Sequence, residues 1–179
     1  MNAAENLRGR GEPTSEPSAD DKHEKLRKIL DDFRVAMTVT VGNDGALIAR
    51  PMSIARMDDD GTMYFATSVG TEKVHEVVED SRMAVTVQSK GAYAAVNGKA
   101  TVSRDRKLIE ALWSDAWKPF FPGGPSDPDI VIVTFRPESG EYWDQGGMKK
   151  ISYLFRALTA AVKRERIDFD KEDHGRVKM

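Results

Sequence analysis

Thr67, Ser68, Thr71 and Lys73 bring three hydroxyls and an ammonium together where a β-branched segment gives way to a helix start. Gly70-Thr71-Glu72-Lys73 opens that helix, with Thr71 as N-cap and Glu72 in the first turn. The orphan amides of a helix start carry partial positive charge. Hydroxyls, amides and a lysine together therefore make a cradle for a phosphomonoester. Arg50, on an earlier strand, could add a bidentate guanidinium. The same residues would equally make an ordinary capped helix beside a surface arginine.

Next to these polar groups lies material suited to a flat aromatic ligand. In Arg50-Pro51-Met52-Ser53, Pro51 removes a ladder N–H, so its strand should be an edge or leave the sheet locally. Met52 offers a polarizable surface for stacking. Trp113 and Trp117 fall at i, i+4 on one helical face, followed by Phe120 and Phe121. By themselves these aromatics could instead form core or a dimer contact. Other chemistries leave no trace. There is no G-x-G-x-x-G after a strand, and Gly98-Lys99 lacks the first P-loop glycine, which is Tyr93. That segment reads as a strand with a kink-permitting glycine.

Composition narrows the class. The chain has 179 residues, enough for one core with some trailing sequence. Its 29 acidic and 27 basic side chains leave a net charge of -2, which argues against nucleic acid as partner. No cysteine is present, so disulfides, thiolate metal sites and cysteine nucleophiles are excluded, and a reducing, cytoplasmic setting is expected. His23, His75 and His174 lie far apart, without metal-ligand spacing, so no metal is expected. No apolar run approaches membrane-spanning length, and no membrane partner is expected.

Residues 1–20 read as a flexible leader, 21–162 as the folded domain and 163–179 as a charged, solvated tail. Leu26, Ile29, Leu30 and Phe33 mark one face of a first helix. Strands follow at Val35–Val41 and Ala46–Met57 around the Asn43-Asp44-Gly45 turn, then at Thr62–Thr67 after Asp58-Asp59-Asp60-Gly61. The helix opening at Thr71 buries Val74, Val77 and Val78. Further strands span Arg82–Gln88 and Ala92–Ser103, and a helix runs from about Asp105 to Trp117. The Pro122–Pro128 run breaks it. Ile130–Phe135 is a strand continued by Glu141-Tyr142-Trp143, and Ile151–Val162 a last helix. About six strands with helices inserted between hairpins predict an α+β, mainly β fold, a six-stranded antiparallel barrel.

Taken together, these segments resemble the pyridoxamine 5'-phosphate oxidase-like FMN-binding split-barrel superfamily, and within it the bacterial general stress protein branch. The likeness rests on Arg50-Pro51-Met52, on Tyr64-Phe65-Ala66-Thr67-Ser68 running to Lys73-Val74, on the Phe120–Asp129 loop, and on Tyr142-Trp143-Asp144. It spans about Leu26 to Tyr153. The resemblance implies a split barrel that forms a homodimer with flavin at the subunit interface. Arg50, Met52 and Ser53, beside Pro51, would line the isoalloxazine and ribityl region. Thr67 and Ser68 would approach the flavin, Lys73 would bind its phosphate, and Trp113 and Trp117 would border it. FMN is the implied cofactor, with FAD or a deazaflavin as alternatives. The arginine-rich C-terminal signature that holds pyridoxal phosphate in true pyridoxamine-phosphate oxidases is missing, so vitamin B6 synthesis is not expected. Three functions stay open: a flavin oxidoreductase taking a nicotinamide cofactor or a small molecule, a flavin-binding or flavin-sensing protein without turnover, and an interaction module that has lost the cofactor. Retention of Arg50, Thr67 and Lys73 speaks against the third.

Overall fold

The computed structural model describes residues 18–89, 91–144 and 174–178. The first helix, α1 (Ala19–Asp31), is closed by a capping box in which Ser18 accepts from the Asp21 amide and the Asp21 carboxylate accepts from Ser18. It buries Leu26, Ile29 and Leu30, as its spacing predicts, and Phe33 packs beside them after the helix has ended.

Strand β1 (Val35–Val41) turns at Asn43-Asp44-Gly45 into β2 (Leu47–Ser53). Gly45, at φ 80°, takes a left-handed conformation that a side chain would oppose. The predicted strand Ala46–Met57 is in fact shared between two neighbours. β2 pairs with β1; the chain breaks step at Ile54 and Ala55; then β3 (Arg56–Met57) pairs with β4 (Met63–Ser68). The Ile54 amide still donates to the Arg34 carbonyl on one side, while the Ala55 amide already donates to that of Tyr64 on the other.

The remaining elements are α2 (Glu72–Glu79), β5 (Arg82–Gln88), β6 (Ala92–Ser103), α3 (Arg106–Leu112), β7 (Ile130–Asp144) and β8 (His174–Lys178). All pairing is antiparallel, in the order β2-β1-β5-β6-β7-β4-β3, with β8 on β7. The two ends of this order, β2 and β3, are consecutive in sequence, so the sheet curls round on itself. The six expected strands become eight because the second is divided and because β8 is added. β2 pairs on one side only, which is the edge position that Pro51 requires.

Inside the curl pack Met63, Phe65, Val85, Val96, Phe135 and Tyr142, with α1 over one end. Ile130 and Ile132 of β7 face the other way, onto Ile109 and Leu112 of α3 and onto Phe121. The first half of β7 is thus buried on both faces, as its unbroken apolar run suggests. β7 continues through Pro137 because the register steps there from Gly98↔Pro137 to Asn97↔Ser139. Glu138 is the extra residue of this bulge, a place where a strand tolerates proline.

Two further expectations need revision. Val78 is exposed at 70%, and the buried face of α2 is Val74, Glu76 and Val77. Within the segment read as a solvated tail, His174–Lys178 forms β8 instead, pairing with Ser139–Trp143. Val177 enters the core there, and the His23 ring bonds the Lys178 carbonyl at 3.1 Å. Ending the chain at residue 173 is therefore expected to cost stability. Loss of the Val177 burial alone is worth about 1.5–3 kcal/mol, and a lowered midpoint in thermal unfolding would register it. The predicted helix Ile151–Val162 lies outside the described residues.

Candidate functional site

Where the sheet fails to close between β2 and β4, a cleft of about 410 Å³ opens. Its lining is Pro51, Met52 and Ser53 from β2, Ala66, Thr67 and Ser68 from β4, Thr71 and Lys73 at the start of α2, and Trp117, Phe120 and Phe121 from the loop after α3. Volumes of this order suit small-molecule and cofactor sites. One wall is the uncharged Pro51-Met52-Ser53 stretch of an edge strand, another is aromatic, and one end is cationic and hydroxyl-rich.

The polar end follows from local structure. β4 delivers Thr67 and Ser68, and a short turn hands the chain to α2. Thr71 sits at the N-cap position in extended conformation, yet its hydroxyl makes no capping bond. It donates instead to the Ser68 carbonyl at 2.8 Å, so the first-turn amides of α2 carry no side-chain cap. Lys73 Nζ donates to Thr67 Oγ1 at 3.1 Å, and Thr67 Oγ1 lies 3.5 Å from Thr71 Oγ1. Among the described residues no carboxylate stands within ion-pair distance of Lys73. Burial lowers the Lys73 pKa below its ordinary value, and the charge of Arg50 adds to this, while the charge of Glu76 opposes it. An anion at this spot would relieve both costs. The donor set therefore fits a phosphate group.

Arg50 departs from its expected role. Its guanidinium does not line the cleft. Nη1 reaches Glu76 Oε2 at 2.7 Å and Nη2 reaches Oε1 at 3.0 Å, a bidentate pair. Thr40 joins them, donating to Glu76 Oε2 at 2.5 Å and accepting from Arg50 Nη1 at 2.9 Å. The carboxylate of Glu76, carried beside β2 by α2, draws the guanidinium away from the lining. Ile48, Arg50 and Met52 point inward on β2, whereas Pro51 and Ser53 point outward. The side chains of Arg50 and Glu76 are 19% and 7% exposed, so the pair sits largely inside, behind Lys73. The bond from Arg50 is the main reason that the Glu76 pKa lies below the ordinary glutamate value, with burial opposing it.

Trp113 and Trp117 also differ from expectation. α3 stops at Leu112, and Asp115–Trp117 is a separate 3-10 turn. Ser114 ends the helical pattern because its hydroxyl accepts from the Ala116 amide and starts the new turn. The two indoles meet edge-on, 5.7 Å between centroids at 82°. Trp117 lines the cleft, and Trp113 stands behind it against the α3 cluster. The loop that carries Trp117, Phe120 and Phe121 is anchored by Arg106, which donates to the Asp127 carbonyl at 2.7 Å.

The cleft thus brings together Pro51, Met52, Ser53, Thr67, Ser68, Lys73 and Trp117 of the expected residues, and leaves out Arg50 and Trp113. The element that sequence reasoning passes over is Glu76. Its signal is its position, a glutamate between Val74 and Val77 on the buried side of an amphipathic helix.

Outside the cleft, β1 and β2 present an uncharged outer face. Its rows run Val35 beside Ser53, Met37 beside Pro51 and Val39 beside Ala49, with Leu47 at the end. Val35, Met37 and Leu47 are exposed at 52%, 41% and 75%. Pro51 and Ser53 belong to both this face and the cleft. Among the described residues, no helix is long and apolar enough to cross a membrane, and no His, Asp or Glu cluster could hold a metal ion.

Comparison with known proteins agrees with this architecture. General stress protein 26 of Bacillus subtilis (strain 168) is 28% identical over 137 residues, which covers 74% of this chain and 95% of that protein. The crystal structure of general stress protein 26 from Jannaschia sp. CCS1 superposes with a TM-score of 0.65 at 28% identity, covering 90% of this chain and all of that one. The general stress FMN/FAD binding protein of Xanthomonas citri shares the fold with a TM-score of 0.61 at 23% identity, covering 72% and 92% of the two chains. The family model described as pyridoxamine 5'-phosphate oxidase like matches residues 21–168, most of the sequence. With the antiparallel split barrel and its cleft in place, the chain belongs to the pyridoxamine 5'-phosphate oxidase like family.

Proposed function

We propose that the cleft binds a flavin, with FMN the best match, and that the protein acts as a flavin-binding stress protein. The observation that carries this reading is the pairing, within one cleft, of an uncharged and aromatic slot with the Lys73 cradle. The slot suits a flat ring system, and the cradle suits the phosphate that distinguishes FMN from riboflavin. Relatives named for general stress, one of them also for FMN/FAD binding, support the reading.

Bound flavin would supply the redox chemistry. The chain's own residues bind and orient. Met52 and Trp117 would face the ring, while Thr67, Thr71, Lys73 and the α2 amides would hold the phosphate. None of the described residues lining the cleft is a histidine, carboxylate, tyrosine or cysteine. Within one subunit, Lys73 and the hydroxyls are then the proton-carrying side chains at hand. Oxidoreductase activity toward a small molecule, with a nicotinamide cofactor as electron source, is the form of turnover this site would support.

A second copy of the chain completes the proposal. The apolar, uncharged outer face of β1 and β2 is of the kind that two-fold interfaces cover, and it runs into the cleft through Pro51 and Ser53. A homodimer would wall in the flavin. Light scattering after size exclusion should give twice the chain mass at micromolar concentration, and a monomer would contradict this part.

Purified protein should be yellow, and mass spectrometry of the released cofactor should return FMN. Failure to bind added FMN, FAD or riboflavin would remove the flavin reading. Lys73→Ala should weaken FMN by about 10- to 100-fold, the usual worth of a charge-assisted bond, and riboflavin much less. Equal losses would take Lys73 off the phosphate. Turnover assays with NADH or NADPH and a panel of acceptors separate an enzyme from a binder.

A further inference from the structure

The buried carboxylate of Glu76 stands behind the cradle with no part in its lining, and its charge has a consequence for what the cradle can hold. Arg50 and Lys73 contribute two positive charges at this end of the cleft, and Glu76 contributes one negative charge. One net positive charge remains to meet a phosphomonoester that carries close to two negative charges at neutral pH. Glu76 binds Arg50 through both oxygens, at 2.7 and 3.0 Å, and takes a third bond from Thr40 at 2.5 Å. Its own position is therefore well fixed. It sits one helical turn from Lys73 on α2, at i, i+3, close enough for its charge to act on the ammonium.

We propose that Glu76 is a specificity-determining residue of the phosphate end: it holds Arg50 out of the cleft and subtracts charge from the cradle. This limits affinity for the phosphorylated flavin relative to the unphosphorylated one. The inference rests on the flavin reading only for the identity of the ligand, since the charge argument applies to any phosphate at Lys73. Through Glu76 the fold trades phosphate affinity for a fixed arginine, and FMN is held less tightly than two free cations would hold it. The carboxylate acts from the protein side of the cradle, so it leaves the ring-binding slot unchanged. Its effect is confined to ligands that carry the phosphate.

Glu76→Gln removes the charge and keeps an amide oxygen for Arg50 and Thr40. Fluorescence titration should show FMN binding about tenfold tighter than in the wild type, as expected for one unit charge screened across several ångströms. Riboflavin affinity should stay within about twofold. Raising the salt should shrink the FMN gain. FMN binding that is unchanged or weaker, or an equal gain for both flavins, would overturn the proposal. Should this variant not fold, Arg50→Met with Glu76→Met removes the pair without stranding a charge. FMN binding within about twofold of the wild type is then expected, and a loss of FMN affinity much larger than that of riboflavin would show Arg50 reaching the phosphate and overturn the proposal. If the wild type binds neither flavin, the flavin reading falls separately. Inorganic phosphate titrated against the amide resonances of residues 71–74 then decides. Tighter phosphate binding in Glu76→Gln supports the role of Glu76, and equal binding overturns it.

Discussion

Replacing Glu76 by alanine is expected to destabilise the folded chain by about 2–4 kcal/mol, because it leaves a largely buried guanidinium without its partner. The loss falls a little below that of a fully buried pair, since Arg50 keeps some access to water. Thr40, itself 3% exposed, would lose its acceptor at the same time. The lost stability should appear as a lower midpoint in urea unfolding with an unchanged slope. Changing both partners together, as Arg50→Met with Glu76→Met, should cost much less than either change alone, because no charge is then stranded. Acid offers a second route to the same interaction. The folded-state pKa of Glu76 is lowered from 4.5, chiefly by the bonds from Arg50. Its contribution is therefore fully present above pH 4.5 and fades as the pH falls through the depressed folded value. Glu76→Gln should flatten that part of the acid unfolding curve, and an unaltered curve would assign acid sensitivity to other carboxylates.

Gly98→Ala should be of similar or greater severity, about 3 kcal/mol or more by the cost of overpacking against rigid atoms. A Cβ at this position would lie 2.0 Å from the Arg136 carbonyl oxygen and 2.9 Å from Pro137 Cα. These are backbone atoms of the neighbouring strand at the β6–β7 bulge and cannot rotate away. Gly140, by contrast, would meet the end of the Leu26 side chain at 2.6 Å, a flexible group. Gly140→Ala should therefore cost less than Gly98→Ala. Paired thermal unfolding of the two variants checks the order, and the reverse order would mean that the bulge is softer than its contacts imply.

Much of this fold is legible in the sequence because its signals are local. Asn43-Asp44-Gly45 announces the first hairpin, and the alternation of Met83, Val85 and Val87 announces β5, where all three are buried. The cleft was accessible through residue type: Met52, Ser53, Thr67, Ser68 and Lys73 come together as their chemistry suggests. Long-range choices were less so. Ala46–Met57 carries one unbroken strand pattern, and nothing local reveals that β1 takes its first half and β4 its second. The charged segment Lys163–Met179 reads as solvated, although one Val177 and a free edge on β7 suffice to make His174–Lys178 a strand. Arg50 illustrates the limit most directly. Its residue type suits a phosphate, but which anion it meets depends on Glu76, a residue of another element that is brought beside it only when α2 packs against β1.

The broken step at Ile54-Ala55 also sets an order of assembly. Pro51, Met52 and Ser53 form one wall of the cleft as part of a local hairpin with β1, an early event for neighbouring strands. The opposite wall belongs to β4, and β4 is fixed by β7, whose partner residues follow about 70 positions later in the chain. Closing a loop of that length is a slow step in folding. During synthesis, then, the two walls cannot face each other until β7 has emerged from the ribosome. If the cleft takes the flavin proposed for it, capture would wait for that late event, and supply of flavin would act on finished domains, not on nascent ones.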